Sequence, residues 1–153
     1  MPTARCSTPP IGVSRVGVVT EREIDIERVI CALSELDDPG ARGFTMGRGD
    51  WPLRGFVARR GAEIRAYVNH CPHAGHALNL RPHAFLAPDA PLIQCSSHGA
   101  LFEIESGLCL AGPCPGSRLR PIELRIERGY VLVADDVDLI EPADLARSCA
   151  RGQ

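Results

Sequence analysis

Hydrophobic and polar positions alternate over many short stretches of the chain, and almost none of it repeats with helical periodicity. Glycine and proline separate the strand-like runs, and Arg60-Gly61 and Arg128-Gly129 have the composition of compact turns between them. Many short strands with little helix predict an all-β, antiparallel architecture. The predicted strands are residues 27–33, 44–46, 53–59, 62–69, 92–94, 101–105, 122–127 and 130–134.

The same pattern divides the chain into three regions. Residues 1–26 are polar and have no sustained periodicity, which predicts a flexible N-terminal arm. Residues 27–135 carry the predicted strands and form the domain, in which a short helical turn is expected at 34–40. Residues 136–153 form a C-terminal tail, in which 142–147 could make one short helix.

One connection between predicted strands is unusually long. Residues 74–91 contain three prolines and no clear strand, and connections of this kind are usually functional or mobile. Elsewhere, Trp51 and Phe56 are expected to be core aromatic residues. The acidic run at 135–138 is expected to lie at a solvated end of the domain.

Composition limits the classes of partner. With 153 residues, 44% of them hydrophobic, the chain is large enough for one compact domain. Its formal net charge of −2 provides no basic surface for nucleic acid or for an anionic membrane. No apolar run reaches the roughly 20 residues of a membrane span, and the N-terminal residues lack the apolar core of a signal peptide. We therefore expect a cytoplasmic protein without a nucleic-acid or membrane partner.

The cysteines are distributed as metal ligands rather than as a disulfide framework. The chain has seven cysteines, an odd number, and a cytoplasmic location is reducing. Three of them are scattered at positions 6, 31 and 149. The other four, Cys71, Cys95, Cys109 and Cys114, fall between residues 71 and 114, so we expect part of this group to bind a metal.

Two short motifs combine cysteine with histidine. The first box is Cys71-Pro72-His73 and the second is Cys95-Ser96-Ser97-His98, so together they offer two sulfur and two nitrogen ligands. In the first box the two side chains are too close in sequence to bind one metal from an extended strand, although they could serve two adjacent metals. Gly75 and Gly99 follow the histidines and would allow the backbone to turn tightly, with amide groups directed at the metal site.

At these motifs the sequence closely resembles the Rieske family, in which two histidines replace two cysteines on one iron of a [2Fe–2S] cluster. The family pattern is C-x-H, then C-x-x-H-G, then a proline-containing loop, which Gly112-Pro113-Cys114-Pro115-Gly116 matches in type and position. The resemblance extends from about Arg28 to Ala134. The interval between His73 and Cys95 is somewhat longer than the family's usual spacing, with the extra residues in the proline-rich connection.

The resemblance implies a fold, a cofactor and a ligand set. The fold would be a Rieske-type antiparallel β-sandwich with a small cluster-binding subdomain at about 69–116, made of two ligand loops and the proline loop. One [2Fe–2S] cluster per chain would be bound by the four ligands. Cys71 and Cys95 would hold the inner iron, and His73 and His98 would hold the outer, redox-active iron.

Neighbouring residues separate the subtypes of this family. Respiratory Rieske proteins have one further cysteine in each box, joined as a disulfide, whereas His76 and Ser97 stand at those positions here. Respiratory members also carry a serine and a tyrosine that donate hydrogen bonds to sulfur, and Ala100 and Phe102 replace them. Fewer hydrogen bonds to sulfur lower the reduction potential. We therefore expect a potential near the low end of the family range of about −150 to +300 mV.

The function implied is that of a soluble, low-potential electron carrier without catalytic residues. It would pass single electrons from a flavin-containing reductase to an oxygenase or another redox enzyme, with the histidine edges as the electron port. Rieske oxygenases need a further domain with a mononuclear iron. Since no histidine follows His98, we do not expect that domain on this chain.

Other interpretations remain open from the sequence. The chain could be a small Rieske subunit or regulatory domain of a larger oxidoreductase such as nitrite reductase. Less favoured alternatives are a structural zinc site with the same four ligands and a zinc or iron–sulfur sensor. Cys109 and Cys114 are interpreted as small buried residues, with a redox-active pair as the alternative, and His70 and His76 as polar rim residues.

Overall fold

The computed structural model describes residues 23–142, which form an all-β fold with ten strands and two short 3-10 turns in this range. The turns are Ile26–Arg28 and Leu33–Glu35. The strands are β1 (Val29–Ala32), β2 (Gly40–Met46), β3 (Leu53–Arg60), β4 (Glu63–Val68), β5 (Leu92–Gln94), β6 (Leu101–Glu103), β7 (Cys109–Ala111), β8 (Pro121–Ile122), β9 (Leu124–Glu127) and β10 (Tyr130–Val133).

All of these strands pair antiparallel, which confirms the predicted fold class. They form three sheets with the orders β1-β10-β9, β2-β3-β4-β8 and β5-β6-β7. The predicted β3–β4 hairpin is present, with Arg60 opposite Glu63 and Gly61 in the turn at φ +61. The second predicted turn joins β9 to β10, where Arg128 and Gly129 both have positive φ, as type I′ hairpin turns require.

The sheet β2-β3-β4-β8 is the middle layer, because both faces of its central strands are buried. Side chains alternate between the faces of a strand, so Phe56 points to one side of β3 and Val57 to the other. Phe56 and Tyr67 belong to a core shared with the β5-β6-β7 sheet. Val57 and Val68 belong to a second core shared with the β1-β10-β9 sheet.

Several element boundaries differ from the sequence prediction. The strand predicted from residue 27 begins at Val29, because Asp25 caps a 3-10 turn there by accepting a hydrogen bond from the Glu27 amide. Strand β2 is longer than predicted, since its glycines hide the alternation. Gly43 is needed in β2 because an added Cβ would lie 3.1 Å from the Phe85 ring. The predicted strand 122–127 divides between two sheets, and β7 was not predicted.

The long connection contains no regular strand, as predicted, but it is firmly packed. Leu78 and Phe85 are fully buried in the core beneath the β5-β6-β7 sheet. The Phe85 ring stacks on Phe56, with ring centroids 4.3 Å apart and an interplanar angle of 9°. The connection is therefore held against the middle layer at two points.

Trp51 corrects one prediction, whereas Phe56 is confirmed as a core residue. Trp51 is 49% exposed, because it lies in the β2–β3 loop, and its carbonyl accepts a 2.9 Å hydrogen bond from the Glu141 amide. The aspartates of the acidic run are exposed, as expected. The predicted helix extends to residue 147 and lies outside the described residues beyond 142, as does most of the predicted N-terminal arm. Among the described residues, no helix is long and apolar enough to cross a membrane.

Candidate metal centre

The first box is a tight loop that is closed by both backbone groups of its cysteine. The Cys71 amide donates to the His76 carbonyl at 2.7 Å, and the Gly75 amide donates to the Cys71 carbonyl at 2.9 Å. Gly75 adopts a φ of +73, a conformation that disfavours residues with a side chain. This geometry puts Cys71 at the base of the loop and His73 near its tip.

The second box repeats the same frame. The Cys95 amide donates to the Ala100 carbonyl at 2.9 Å, and the Gly99 amide donates to the Cys95 carbonyl at 2.9 Å. Gly99 has a φ of +72. The histidine lies one position later in this loop than in the first, yet the cysteine again lies at the base. Two separate segments therefore present the same arrangement of a basal thiol and a distal imidazole.

The two loops bring the four predicted ligands together in two layers. Cys71 and Cys95 are each only 1% exposed and belong to the same core cluster. His73 and His98 are exposed, with ring centroids 5.0 Å apart at an interplanar angle of 85°. Sulfur donors thus form a buried pair and nitrogen donors an adjacent pair at the surface.

The surroundings of the Cys71 thiol act on its pKa in two opposing directions. Burial raises the pKa of the Cys71 thiol, while hydrogen bonds from the backbone amides of His73 and Ala74 lower it. A metal that binds this thiol must displace its proton. The same amides would then stabilise the negative charge that remains on sulfur.

The donor set suits two adjacent metal ions better than one. A tetrahedral zinc site needs four side chains around one point, whereas here the sulfur donors are buried and the nitrogen donors are exposed. A binuclear group needs only two protein ligands for each metal, which is how the thiol pair and the imidazole pair are arranged.

The proline loop, Gly112–Gly116, lies against the second box. Gly112 has a φ of +101, and a Cβ at this position would lie 2.7 Å from the Cα of Ala100 in the second box. This close approach means that the loop packs directly on the second box. Pro113 is exposed at the tip of the loop, while Cys114 is buried beneath it.

Two buried residues behind the second box have no hydrogen-bond donor in their side chains. Ala100 and Phe102 are both fully buried, and the Phe102 position is paired with Ile93 across the β5-β6-β7 sheet.

At the rim, His76 and Ser97 are exposed and His70 is half-buried, as expected for polar residues at the edge of a site.

A polar connection that the sequence did not reveal fixes the spacing of the two boxes. The Asn69 side-chain oxygen accepts a 2.8 Å hydrogen bond from the Leu78 amide, and the Leu78 carbonyl accepts a 2.7 Å hydrogen bond from the Ser96 amide. The backbone amide of Asn69 donates to the Arg54 carbonyl of β3 at 2.9 Å. The only sequence signal for this link is Leu78, an apolar residue in a mostly polar stretch.

Replacing Asn69 by alanine tests this link. Asn69→Ala leaves the partly buried Leu78 amide without its acceptor, and we expect the free energy of unfolding in urea to fall by about 1–3 kcal/mol. Asn79→Ala is the control. The Asn79 side-chain oxygen accepts a hydrogen bond from the side-chain nitrogen of Asn69, and the Asn79 side-chain nitrogen donates to the exposed Arg81 carbonyl, so neither bond involves the Leu78 amide. Equal losses in the two variants would show that Asn69 does not fix the spacing.

Comparison with known proteins adds a family and a set of similar folds. The family model of the Rieske [2Fe-2S] domain matches residues 27–131. The ferredoxin of carbazole 1,9a-dioxygenase from Nocardioides aromaticivorans IC177 superposes with a TM-score of 0.54 at 24% identity, covering 70% of this chain and 94% of that ferredoxin. The Sphingomonas yanoikuyae B1 ferredoxin gives a TM-score of 0.51 at 23% identity, covering 75% and 97% of the two chains.

A further similar structure is a complex of reduced oxygenase and oxidised ferredoxin in carbazole 1,9a-dioxygenase. It matches with a TM-score of 0.54 at 26% identity, covering 69% of this chain and 99% of the matched chain. No curated protein sequence matches the chain. These ferredoxin-sized chains are thus covered almost completely by the described fold.

Proposed function

The chain belongs to the Rieske [2Fe-2S] domain family, and we propose that it is a carrier of single electrons between a reductase and an oxygenase or another redox enzyme. The observation that carries this proposal is the two-layered donor set, with a buried pair of thiols and an exposed pair of imidazoles. Membership of this family implies one [2Fe–2S] cluster. The chemistry of the donor set fits that group, since sulfur and nitrogen donors are segregated as a Rieske centre requires.

In this proposal Cys71 and Cys95 are the ligands of the inner iron, and His73 and His98 are the ligands of the outer iron. The cluster supplies a one-electron couple, favoured at the outer iron because imidazole is neutral where thiolate is anionic. Burial of Cys71 and Cys95 would keep water away from these two ligands. The exposed histidines bring the redox-active side to the surface, where a partner can approach within a short electron-transfer distance.

We propose that the chain has no catalytic role of its own. We assign no side chain to substrate chemistry. The accessible part of the site is the exposed edges of His73 and His98. The similar ferredoxins support a carrier, because nearly their whole length is covered by this chain. One of them is described in a complex with an oxygenase, which supports an oxygenase as acceptor. We propose a flavin-containing reductase as donor, with brief and weak docking on both sides.

Anaerobic purification followed by a coupled assay tests the carrier function. We expect reversible bleaching on reduction, and electron flow from NADH through a flavin-containing ferredoxin reductase to cytochrome c that increases in proportion to this protein. The control is the same mixture without the protein. A colourless protein, or one that is reduced without passing electrons on, would exclude the proposed role.

A low reduction potential follows from the lack of donors at Ala100 and Phe102. We propose a value near the lower end of the range of about −150 to +300 mV. The double variant with Ala100→Ser and Phe102→Tyr should have a raised midpoint in film voltammetry, because new hydroxyl donors would stabilise the reduced state. Ile126→Ser, at the exposed position of strand β9, is the control and should leave the midpoint unchanged. A midpoint well above zero in the unsubstituted protein at neutral pH would contradict the proposal.

A further inference from the structure

Cys109 and Cys114 form a second sulfur pair, separate from the proposed ligands. The Cys114 thiol donates a hydrogen bond to the Cys109 sulfur, with the two Sγ atoms 3.3 Å apart. The Cys109 thiol donates in turn to the Ala111 carbonyl at 3.3 Å. Both cysteines are buried, and both are in the free thiol form. No step of the proposed electron transfer uses either of them.

The backbone brings this pair together, with Cys114 in the middle of the proline loop and Cys109 at the start of strand β7 just before it. The Cys109 amide donates to the Ser117 carbonyl at 2.8 Å, and the Gly116 amide donates to the Cys109 carbonyl at 3.2 Å. The Ser117 amide also donates to the Cys114 carbonyl at 3.1 Å. These bonds fold residues 109–117 back on themselves, so that the two sulfurs meet inside the loop. A disulfide bond is about 2.05 Å long, so the sulfurs need to approach by only about 1.2 Å.

We propose that Cys109 and Cys114 are a redox-active pair whose reversible disulfide locks the proline loop over the metal centre. The oxidant is a small-molecule disulfide such as oxidised glutathione. One thiol, as its thiolate, attacks the oxidant and forms a mixed disulfide, releasing one reduced thiol. The second protein thiol then attacks the mixed disulfide and releases the other, so that two protons and two electrons leave the protein pair in total.

A disulfide at this position would restrain the proline loop. It would close a short ring that contains Gly112 and Pro113, the part of the loop that packs on the second box. A cross-link between the loop and strand β7 suppresses local opening of the loop, because the open state loses conformational freedom. The lock should therefore slow the access of solutes to the metal centre.

Burial sets the rate of the reaction. Desolvation raises the pKa of the Cys114 thiol to about 12, so very little thiolate is present at neutral pH. Burial should therefore slow the exchange, because the oxidant must reach a sulfur that lies in the core. Cys31 provides an internal comparison, since it is buried in the other core, whereas the other four cysteines among the described residues share the core of this pair.

Mass spectrometry tests the pair directly. The holoprotein is equilibrated anaerobically in buffers of increasing oxidised to reduced glutathione, and the free thiols are then alkylated. Digestion with trypsin and a glutamate-specific protease yields residues 106–118, which contain Cys109 and Cys114 and no other cysteine. We expect this peptide to escape alkylation and to lose two hydrogens in oxidising buffers, and to recover in reduced glutathione. A dithiol at every ratio, or separate glutathione adducts on the two residues, would overturn the proposal.

Iron release tests the lock. We expect the oxidised holoprotein to lose iron to a chelator several-fold more slowly than the reduced holoprotein, and Cys109→Ala to remove this difference. Cys31→Ser should retain it, and it also serves as the control for substitution of a buried thiol. If the disulfide forms while the rate of iron release stays the same or rises, the loop is not locked and that part of the proposal is wrong.

Discussion

Cys95→Ser should yield a protein that has lost almost all of its iron and labile sulfide. Cys95 lies at the base of the second box, is 1% exposed and shares a core cluster with Cys71. A serine hydroxyl is a much weaker acid than a thiol and a harder donor, so it is a poor substitute for the thiolate as a ligand of iron. With one of the two inner ligands gone, we expect iron and sulfide contents at least about ten-fold below those of the unsubstituted protein.

Cys31→Ser is the matched control for that experiment. Cys31 is also buried, at 4% exposure, but it belongs to the core on the opposite face of the middle sheet. The control should keep its full iron content even if its stability falls. If Cys95→Ser folds and still binds iron at the level of Cys31→Ser, then Cys95 is not a ligand.

Phe85→Ala should lower the free energy of unfolding by about 3–5 kcal/mol, the usual range when a buried phenylalanine is truncated. Phe85 is 1% exposed, stacks on Phe56 at 4.3 Å and lies against Gly43 of β2. Because Phe85 belongs to the connection between the two boxes, its loss should also loosen their relative position. We expect a lower urea midpoint and an iron content below that of the unsubstituted protein.

The control is Leu80→Ala in the same connection. Leu80 is 76% exposed, so its truncation should change the free energy of unfolding by less than about 0.5 kcal/mol. Similar losses in the two variants would show that the connection is not anchored through Phe85.

Local sequence patterns predicted the features that short-range chemistry determines. Gly61 predicted the β3–β4 turn because a residue without a side chain adopts its positive φ readily. The two boxes predicted where the candidate ligands would lie, because each box closes within six residues by its own backbone hydrogen bonds. The strands β5 and β10 were predicted nearly to the residue for the same reason, since alternation within a strand is local.

Features that depend on distant contacts could not be predicted in this way. Strand β2 was predicted too short. Glycine at position 43 is explained by its close contact with the Phe85 ring, which is distant in the sequence. Trp51 was expected in the core on its residue type, yet its loop lies at the surface. Asn69 gave no signal, since its partner Leu78 acquires its role only when the connection packs on the core.

The pairing of Cys109 with Cys114 is an intermediate case. The sequence placed both cysteines on either side of the proline loop and left open whether they are simply buried or form a pair. Burial is confirmed, and the 3.3 Å sulfur contact shows that the two are neighbours. Their redox activity stays a prediction, which the glutathione titration decides.

The most direct test of the proposed ligand set is the nitrogen hyperfine spectrum of the reduced protein, measured by pulsed EPR on a sample labelled with nitrogen-15 in histidine. We expect coupling to two histidine nitrogens, from His73 and His98, together with two irons and two labile sulfides per chain. The thiols of Cys71, Cys95, Cys109 and Cys114 all lie in one core, which makes all-cysteine ligation the alternative to exclude. An iron–sulfur signal without histidine coupling, or stoichiometric zinc without iron, would contradict a Rieske centre at this site.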